Sequence, residues 1–360
     1  MGQPQPHSFL QKPEVRCTLV FLLLCSVLSV TGIFDGIEVK TLDWRFQQRP
    51  AASPDRRIVM LYVSDECLAE LGKWPWSREL HARAVQELHC MGVAALVVDI
   101  LFQEPADREP ESDLTLVEAC RALGRAILPM YVIPVNIVHP ETGRLSTTFE
   151  AMPPFTALAS VSASMGSINV DYRHLNPDGG MRRPLLYSRI EERWYPSLAL
   201  AAAQVVTGSP ARLERQGLFL GDRPVPLHEY PVLESVSWYW RLVSKPALLV
   251  NYQGEADSGA FPIVYVSDLL RGSVAPDFFR DKIVLYGPSA IGLADIKLTP
   301  YGEMPGVMIH ANILHNLING AFLRQAEVPV QIAILALLAG AVLFTLLRAG
   351  PVSGLVILGG

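Results

Sequence analysis

The acidic residue best placed for chemistry is Asp99, near the end of the apolar run 93–102. A continuous apolar run of this kind is typical of a strand buried on both faces of a parallel sheet. Pockets in open α/β sheets form beyond the carboxyl ends of the strands, where an acid can face a ligand. Asp295, with Lys297 close by, follows the last strand-like run in the same way. Both acids are candidate ligand-binding residues, and the alternative role for each is to cap a loop or pair with a basic side chain.

A second candidate group combines two indoles and a guanidinium: Trp74, Pro75, Trp76 and Arg78. Two indoles around a proline can line a pocket or a partner surface, and an arginine beside them could clamp an anion. The same residues can instead form a packing plug, with the proline fixing the start of the following helix. The sequence leaves both roles open.

The histidines are spaced too widely to form a metal site in sequence. His81 and His89 are eight residues apart, and His310 and His315 are five apart, whereas a tetrahedral site needs three or four converging donors. His310 lies on an otherwise apolar helix and is either a buried core histidine or a ligand contact. Signatures of metalloproteases, serine hydrolases, P-loop proteins and dinucleotide-binding proteins are absent from the sequence. We therefore predict no catalytic residue, no metal and no cofactor.

Composition narrows the function classes further. The formal net charge is -5, and no Lys/Arg cluster overrides it, which argues against nucleic-acid binding. Apolar residues make up 50% of the chain, and the excess is concentrated at its two ends. The five cysteines show no regular spacing, so they do not indicate a disulfide framework, although a pair among Cys67, Cys90 and Cys120 stays open.

Two long apolar runs predict membrane spans at 17–34 and 328–347. A cleavable signal peptide would resemble the first run, but no A-x-A-like cleavage site follows it. Basic residues at 12, 16 and 348 place residues 1–16 and the end of the second span on the cytoplasmic side. Residues 35–327 then lie in the periplasm or extracellular space, and 351–360 begin a further span that the chain does not complete.

The segment between the spans alternates strand-like and helix-like patterns. Strands are predicted at 57–63, 93–102 and 126–132, with helices at 78–92 and 114–123 between them, which implies a parallel sheet with right-handed crossovers. Turn signals at 176–180 and a hairpin at 217–230 indicate a β-rich insertion. Strands at 167–172, 183–189 and 247–252, with helices at 155–164, 196–206 and 266–270, complete this central part.

A strand, a Gly/Pro-rich loop and a helix at 305–320 close the segment between the spans, over 282–323. The basic pair Arg182–Arg183 is expected to be solvated. The predicted fold class is α/β: a mixed, largely parallel sheet with helices on both faces and a β-rich insertion, flanked by transmembrane helices.

An ordered set of short motifs resembles the CHASE2 family of extracytoplasmic sensor domains. The resemblance covers residues 42–323, and its motifs are LDWRF (42–46), DRRIV (55–59), LGKWPWSRELHA (71–82), VVDILFQEP (97–105), NPDGGMRRPL (176–185), PSLAL (196–200), FPIVYVSDLLRG (261–272) and two blocks within 282–314. The resemblance implies a multi-pass plasma-membrane receptor whose outer domain controls a cytoplasmic cyclase or kinase outside this chain. The expected partners are the lipid bilayer, an unassigned small-molecule or protein stimulus, and a second copy of the chain in a homodimer.

Two further functions stay open alongside this one. A membrane-tethered hydrolase would use Asp99, Asp295 and a histidine, and a scaffold would bind a partner protein through Trp74 and Trp76. The ligand-binding candidates are therefore Trp74, Trp76, Arg78, Asp99, Asp295 and His310.

Overall fold

The computed structural model divides the chain into two units, Asp43–Leu323 and a second unit formed by Met1–Leu42 with Arg324–Gly360. The described residues are 35–50, 55–106, 110–138, 145–169, 178–190, 192–236 and 239–358, with isolated residues 15, 16, 18, 20, 23 and 175. The predicted cytoplasmic tail 1–16 and first span 17–34 therefore lie almost entirely outside the described residues. So do the first two residues of the predicted turn 176–180.

The helices follow the capping signals of the sequence. They are α1 (Asp35–Gln47), α2 (Asp65–Leu71), α3 (Arg78–Cys90), α4 (Pro110–Leu123), α5 (Thr156–Ala159), α6 (Leu198–Thr207), α7 (Val266–Leu270), α8 (Gly306–Asn319) and α9 (Val328–Leu358). The Ser77 hydroxyl accepts from the Leu80 N–H at the start of α3, as expected of an N-cap serine. Gly320 ends α8 in the left-handed conformation with φ of 64°, which a glycine adopts without steric cost.

The strands build one large sheet and several small ones. They are β1 (Ile58–Val63), β2 (Ala95–Val98), β3 (Ala126–Val138), β4 (Leu145–Met152), β5 (Ser164–Ser167), β6 (Tyr187–Ile190), β7 (Arg193–Pro196), β8 (Ala211–Glu214), β9 (Gly217–Leu220), β10 (Arg223–Val225), β11 (His228–Val236), β12 (Tyr239–Ala247), β13 (Ile263–Tyr265), β14 (Ile283–Pro288), β15 (Ile296–Thr299) and β16 (Gly302–Pro305). The large sheet has the order β13-β1-β14-β2-β3-β4, and β5 also pairs with β3. Its pairings are parallel except that of β3 with β4.

The strand β14 lies between β1 and β2, although it is separated from both by most of the chain. The strand that opens the segment 282–323 therefore occupies the centre of the sheet. Every residue of β1 is buried, because helices cover both faces of the sheet. The helices α3, α4 and α7 contribute to the core on one face, and α6 and α8 pack on the strands from the other. The predicted α/β fold with a largely parallel sheet is confirmed.

The β-rich insertion is present as small antiparallel sheets. One sheet has three strands, with β9 between β8 and β10. Three others are two-stranded: β6 with β7, β11 with β12, and β15 with β16. The hairpin predicted at 217–230 is one part of the three-stranded sheet. The hairpin of β15 and β16, next to Asp295, was not predicted.

Several predicted boundaries are wrong for local reasons. The strand predicted at 93–102 is shorter in the structure and covers Ala95–Val98. The helix predicted at 114–123 begins at Pro110, because a proline suits the first helical turn and Asp113 accepts the N–H of Ala106 there. The strand predicted at 247–252 is not a sheet strand beyond Ala247. The amides of Leu248 and Val250 donate instead to the carbonyls of Pro184 and Arg182.

The helix α9 covers the second predicted span, 328–347, and continues to Leu358. Among the residues that the structure describes, none of the helices has both the length and the apolar character needed to cross a membrane. The flanking transmembrane helices therefore stay predictions.

Candidate functional site

The central sheet divides the candidate residues into two groups. Trp74, Trp76 and Arg78 lie at the start of α3, whose buried residues join the core on one face. Asp99, Asp295 and His310 lie at the carboxyl end of the strands, where α8 begins on the opposite face. We treat the two groups in turn, because their side chains are satisfied to very different degrees.

The carboxyl ends of β1, β14 and β2 bring Tyr62, Gly287 and Asp99 into one row. Tyr62 is in register with Gly287, and the Asp99 N–H donates to the Tyr286 carbonyl at 2.7 Å, which extends the pairing by one residue beyond β2. A Cβ added to Gly287 would lie 3.0 Å from Val307 and 3.2 Å from the Cβ of Asp99. The glycine therefore allows the first turn of α8 to approach the sheet next to Asp99.

Asp295 is held at the start of the same helix. The Gly306 N–H donates to the Asp295 carbonyl at 2.9 Å, and the hairpin of β15 and β16 spans the residues between them. The Asp295 carboxylate is 73% exposed and pairs with Lys297 at 3.1 Å. Asp295 and Lys297, which are close in the sequence, thus form a surface ion pair at the rim of the site.

His310 lies one turn further along α8 and is only 3% exposed. Its Nδ1 has no hydrogen-bond partner among the described residues. Burial lowers the pKa of His310, and the nearby charges of Asp99 and Asp295 only oppose this. Burial raises the pKa of Asp99, with His310 opposing and Asp295 adding to the effect. The sheet edge therefore holds a neutral imidazole near an acid whose charged form is disfavoured.

Sequence reasoning missed Tyr62 as a member of this edge. Its side chain is 5% exposed and its hydroxyl has no partner among the described residues. Burial, with the charges of Asp257 and Tyr265, raises the pKa of Tyr62. A buried polar atom without a partner costs about 1–3 kcal/mol and calls for an explanation. Two such atoms are the Tyr62 hydroxyl on β1 and the His310 Nδ1 on α8.

The aromatic group at the start of α3 is satisfied by its own contacts. Trp76 is 5% exposed and its Nε1 donates to the Gly72 carbonyl at 2.8 Å. The rings of Trp74 and Trp76 are 5.5 Å apart, and both contact the ring of His81. The His81 Nδ1 forms a 2.7 Å hydrogen bond with the Tyr286 hydroxyl. Burial and the charge of Arg78 lower the pKa of His81 to about 3. These contacts are those expected of a packing plug, and a binding role for Trp74 and Trp76 stays a prediction.

Arg78 is occupied by groups of the protein itself. Its guanidinium lies 4.5 Å from the centre of the Phe102 ring and donates to the Glu104 carbonyl at 3.3 Å. Its Nε lies 3.4 Å from Asp113 Oδ1, which is ion-pair distance without hydrogen-bond alignment. An anion bound by Arg78 would have to compete with the Asp113 carboxylate.

The expectation that Arg182 and Arg183 are solvated is wrong. They are 3% and 4% exposed. Arg182 donates to both carboxylate oxygens of Asp43 at 2.7 and 2.6 Å, and to Asp178 at 2.9 Å. Arg183 lies over the ring of Tyr230 at 4.0 Å. The physical reason is that an arginine can be buried when carboxylates and aromatic faces replace its water.

Arg182 belongs to a set of contacts that docks the end of α1 on the rest of its unit. Phe46 meets the rings of Tyr252 and Tyr301 edge-on, at 6.3 and 5.6 Å. The Gln47 side chain donates to the Pro300 carbonyl at 3.3 Å. Arg49 donates to the Asn251 side chain. Residues 43–49 are therefore fixed to the rest of their unit by charged, polar and aromatic contacts.

Asn251 also binds the far end of α8. Its side-chain amide donates to the Ala321 carbonyl at 3.0 Å, and its backbone N–H donates to Asn316 Oδ1 at 2.8 Å. The Asn316 amide donates back to the Asn251 carbonyl at 2.9 Å. Asn251 thus connects the end of α1 to the end of α8. In the sequence, α1 follows the first predicted span and α8 precedes the second.

Metal binding finds no support in the part of the chain described: no three His, Cys, Asp or Glu side chains there are placed to hold one ion. Cys67, Cys90 and Cys120 are free thiols.

The comparisons with known proteins give one match. The model of the CHASE2 domain matches residues 18–347. No curated protein and no solved structure matches the chain.

Proposed function

Because the chain belongs to the CHASE2 family of extracellular sensory domains, we propose that it is the input module of a bacterial transmembrane receptor. Residues 35–327 are the sensor, held between spans at 17–34 and 328–347 in the plasma membrane, with 1–16 in the cytoplasm and 351–360 beginning a further span. The output is a cyclase or kinase outside this chain, and two copies form the receptor as a homodimer. In this proposal the chain senses a stimulus and catalyses no reaction.

The observation that carries the proposal is that the buried His310 Nδ1, near Asp99, has no hydrogen-bond partner among the described residues. A small polar ligand that hydrogen-bonds to this nitrogen would relieve a buried polar group and so gain free energy. We assign the stimulus site to Asp99, Asp295 and His310. Trp74, Trp76 and Arg78 contribute to the same domain by holding α3 on the sheet.

The helix α8 gives the site a route to the membrane side. His310 is in its second turn, and Asn316, which contacts Asn251, is near its end. A ligand shifts such an element only if it prefers one of two positions of the helix. Binding at His310 would then change the position of Asn316 and, through Asn251, of Arg49 at the end of α1.

A hydrolase using Asp99, Asp295 and His310 is the second candidate, because the structure does bring these residues within electrostatic reach of one another. A general base in such a site is oriented by a third group hydrogen-bonded to its other nitrogen. No described residue orients His310 in this way through its Nδ1, which favours the sensor.

Two variants of the complete receptor test the proposal. Deletion of residues 42–323 should abolish the response and leave insertion in the membrane intact. His310→Leu should abolish or strongly reduce the response, while Trp74→Phe, at a half-buried indole outside the site, should retain it. The readout is output activity in cells against receptor amount in the membrane fraction. A normal response from the deletion variant would contradict the receptor role. A normal response from His310→Leu would show that the stimulus does not bind at His310.

A further inference from the structure

A cleft of about 590 Å³ lies at the amino ends of the central strands, at the edge of the sheet opposite to His310. Its lining residues are Arg56, Gly259, Pro262, Asp277, Phe278, Arg280 and Lys282. We propose that this cleft binds a phosphate group carried by a molecule with an apolar part. This inference concerns a different place in the domain and does not depend on the proposed stimulus site.

The sheet register brings the cations together. Arg56 precedes β1 and Lys282 precedes β14, two neighbouring strands whose first residues, Ile58 and Ile283, are in register. The Ile283 N–H donates to the Arg57 carbonyl at 2.7 Å, which fixes this end of the strand pair. The two cationic side chains are therefore held on neighbouring strands by backbone pairing.

The charges of the lining are not balanced. Arg280 forms an ion pair with Asp277, and hydrogen bonding to Asp277 with the charge of Asp281 raises the pKa of Arg280. Neither the Arg56 guanidinium nor the Lys282 ammonium has an ion-pair or hydrogen-bond partner among the described residues. Two cations without counter-ions on a chain of net charge -5 form a local positive field, which favours an anion.

The guanidinium of the neighbouring residue Arg57, unlike that of Arg56, has hydrogen-bond partners among the described residues. It donates to both oxygens of Asp55 and to the Asn319 side chain. Burial of Asp55 acts in the opposite direction, but the hydrogen bonds from Arg57 and Asn319 hold its pKa well below the usual range. Asn319 is the last residue of α8, so a ligand on Arg56 would sit beside a network that reaches the end of that helix.

The chemistry of the cleft selects the class of ligand. A guanidinium binds two oxygens of a phosphate at once, and a lysine ammonium adds a point charge. Pro262 and Phe278 provide an apolar wall for the group that carries the phosphate. Such a phosphate occurs on a soluble phosphomonoester and on the headgroup of an anionic lipid, and the experiment separates these sources.

In the first arm, the full chain in nonionic detergent is titrated with phenyl phosphate by calorimetry, with phenol as the uncharged control. We expect binding of phenyl phosphate alone. The double variant Arg56→Gln/Lys282→Gln should weaken it about tenfold or more, since it removes both charge-assisted hydrogen bonds to the phosphate. Arg215→Gln, at an exposed cation between β8 and β9, should leave the affinity unchanged, and Arg56→Lys should retain most of it.

In the second arm, the full chain is placed in phosphatidylcholine nanodiscs with or without phosphatidylglycerol, and amide hydrogen exchange of residues 277–282 is measured. Protection that requires phosphatidylglycerol and is lost in the double variant identifies a lipid headgroup as the source. Binding of phenyl phosphate that is lost in the same variant identifies a soluble source. The proposal is overturned if neither probe has an effect, or if the double variant behaves as the wild type. Where the double variant unfolds at a lower temperature, the two single variants replace it.

Discussion

Two buried histidines lie on opposite faces of the central sheet, and the difference between them is the basis of the proposed stimulus site. His81 packs against one face, where its Nδ1 bonds the Tyr286 hydroxyl at 2.7 Å. His310 packs against the other face, to which the next residue of β14, Gly287, is turned. The His310 Nδ1 has no hydrogen-bond partner among the described residues. Burial lowers the pKa of both. Burial alone therefore does not separate the two histidines, whereas the hydrogen bonding of Nδ1 among the described residues does.

The largest expected effect belongs to the satisfied face. Trp76→Ala should lower the free energy of unfolding by about 3–5 kcal/mol, because it removes a buried indole and leaves a cavity. Trp74→Ala is the matched control, since Trp74 is half-buried and only packs against the edge of the core, and it should cost clearly less. Chemical denaturation of the full chain measures both. Equal losses would show that the plug is not centred on Trp76.

Acid should weaken the fold through the same face. The pKa of His81 is lowered to about 3 from its ordinary value of 6.5, so the unfolded chain binds the proton more readily. Stability from this group is fully present above about pH 6.5 and is lost as the pH falls towards 3, by up to about 1.4 kcal/mol per pH unit. The charged group that faces His81 is Arg78, which acts in the same direction.

Denaturation curves between pH 7 and pH 4 check this expectation in the wild type and in His81→Gln. The variant should show a shallower loss of stability with acid. An unchanged slope would assign the acid sensitivity to other groups, such as the carboxylates that pair with arginines.

Local features of the fold could be predicted from the sequence, because they depend on neighbouring residues. Ser77 as an N-cap, Gly320 as a left-handed C-cap and the buried strand at β14 follow from residue types within one or two turns. The place of β14 between β1 and β2 could not be predicted, since it depends on pairing across more than 180 intervening residues of chain. That pairing is what puts Tyr62, Gly287 and Asp99 side by side.

The candidate site was predicted in part for the same reason. Asp99 and Asp295 follow strands, so their place at the carboxyl edge could be inferred from the direction of parallel strands. That His310 would lie within electrostatic reach of both required the position of α8. The burial of Arg182 was missed because its partner Asp43 is 139 residues away, and a basic pair after a turn carries no local sign of such a partner.

The most direct test compares His310→Leu with Tyr286→Phe in denaturation of the full chain. Tyr286→Phe removes the partner of His81 and leaves a buried nitrogen unsatisfied, so it should cost about 1–3 kcal/mol. His310→Leu removes an imidazole whose Nδ1 has no hydrogen-bond partner among the described residues, so it should cost less free energy of unfolding than Tyr286→Phe. A loss in His310→Leu as large as that in Tyr286→Phe would mean that His310 is as fully satisfied as His81. That result would contradict the assignment of a binding site to the α8 face.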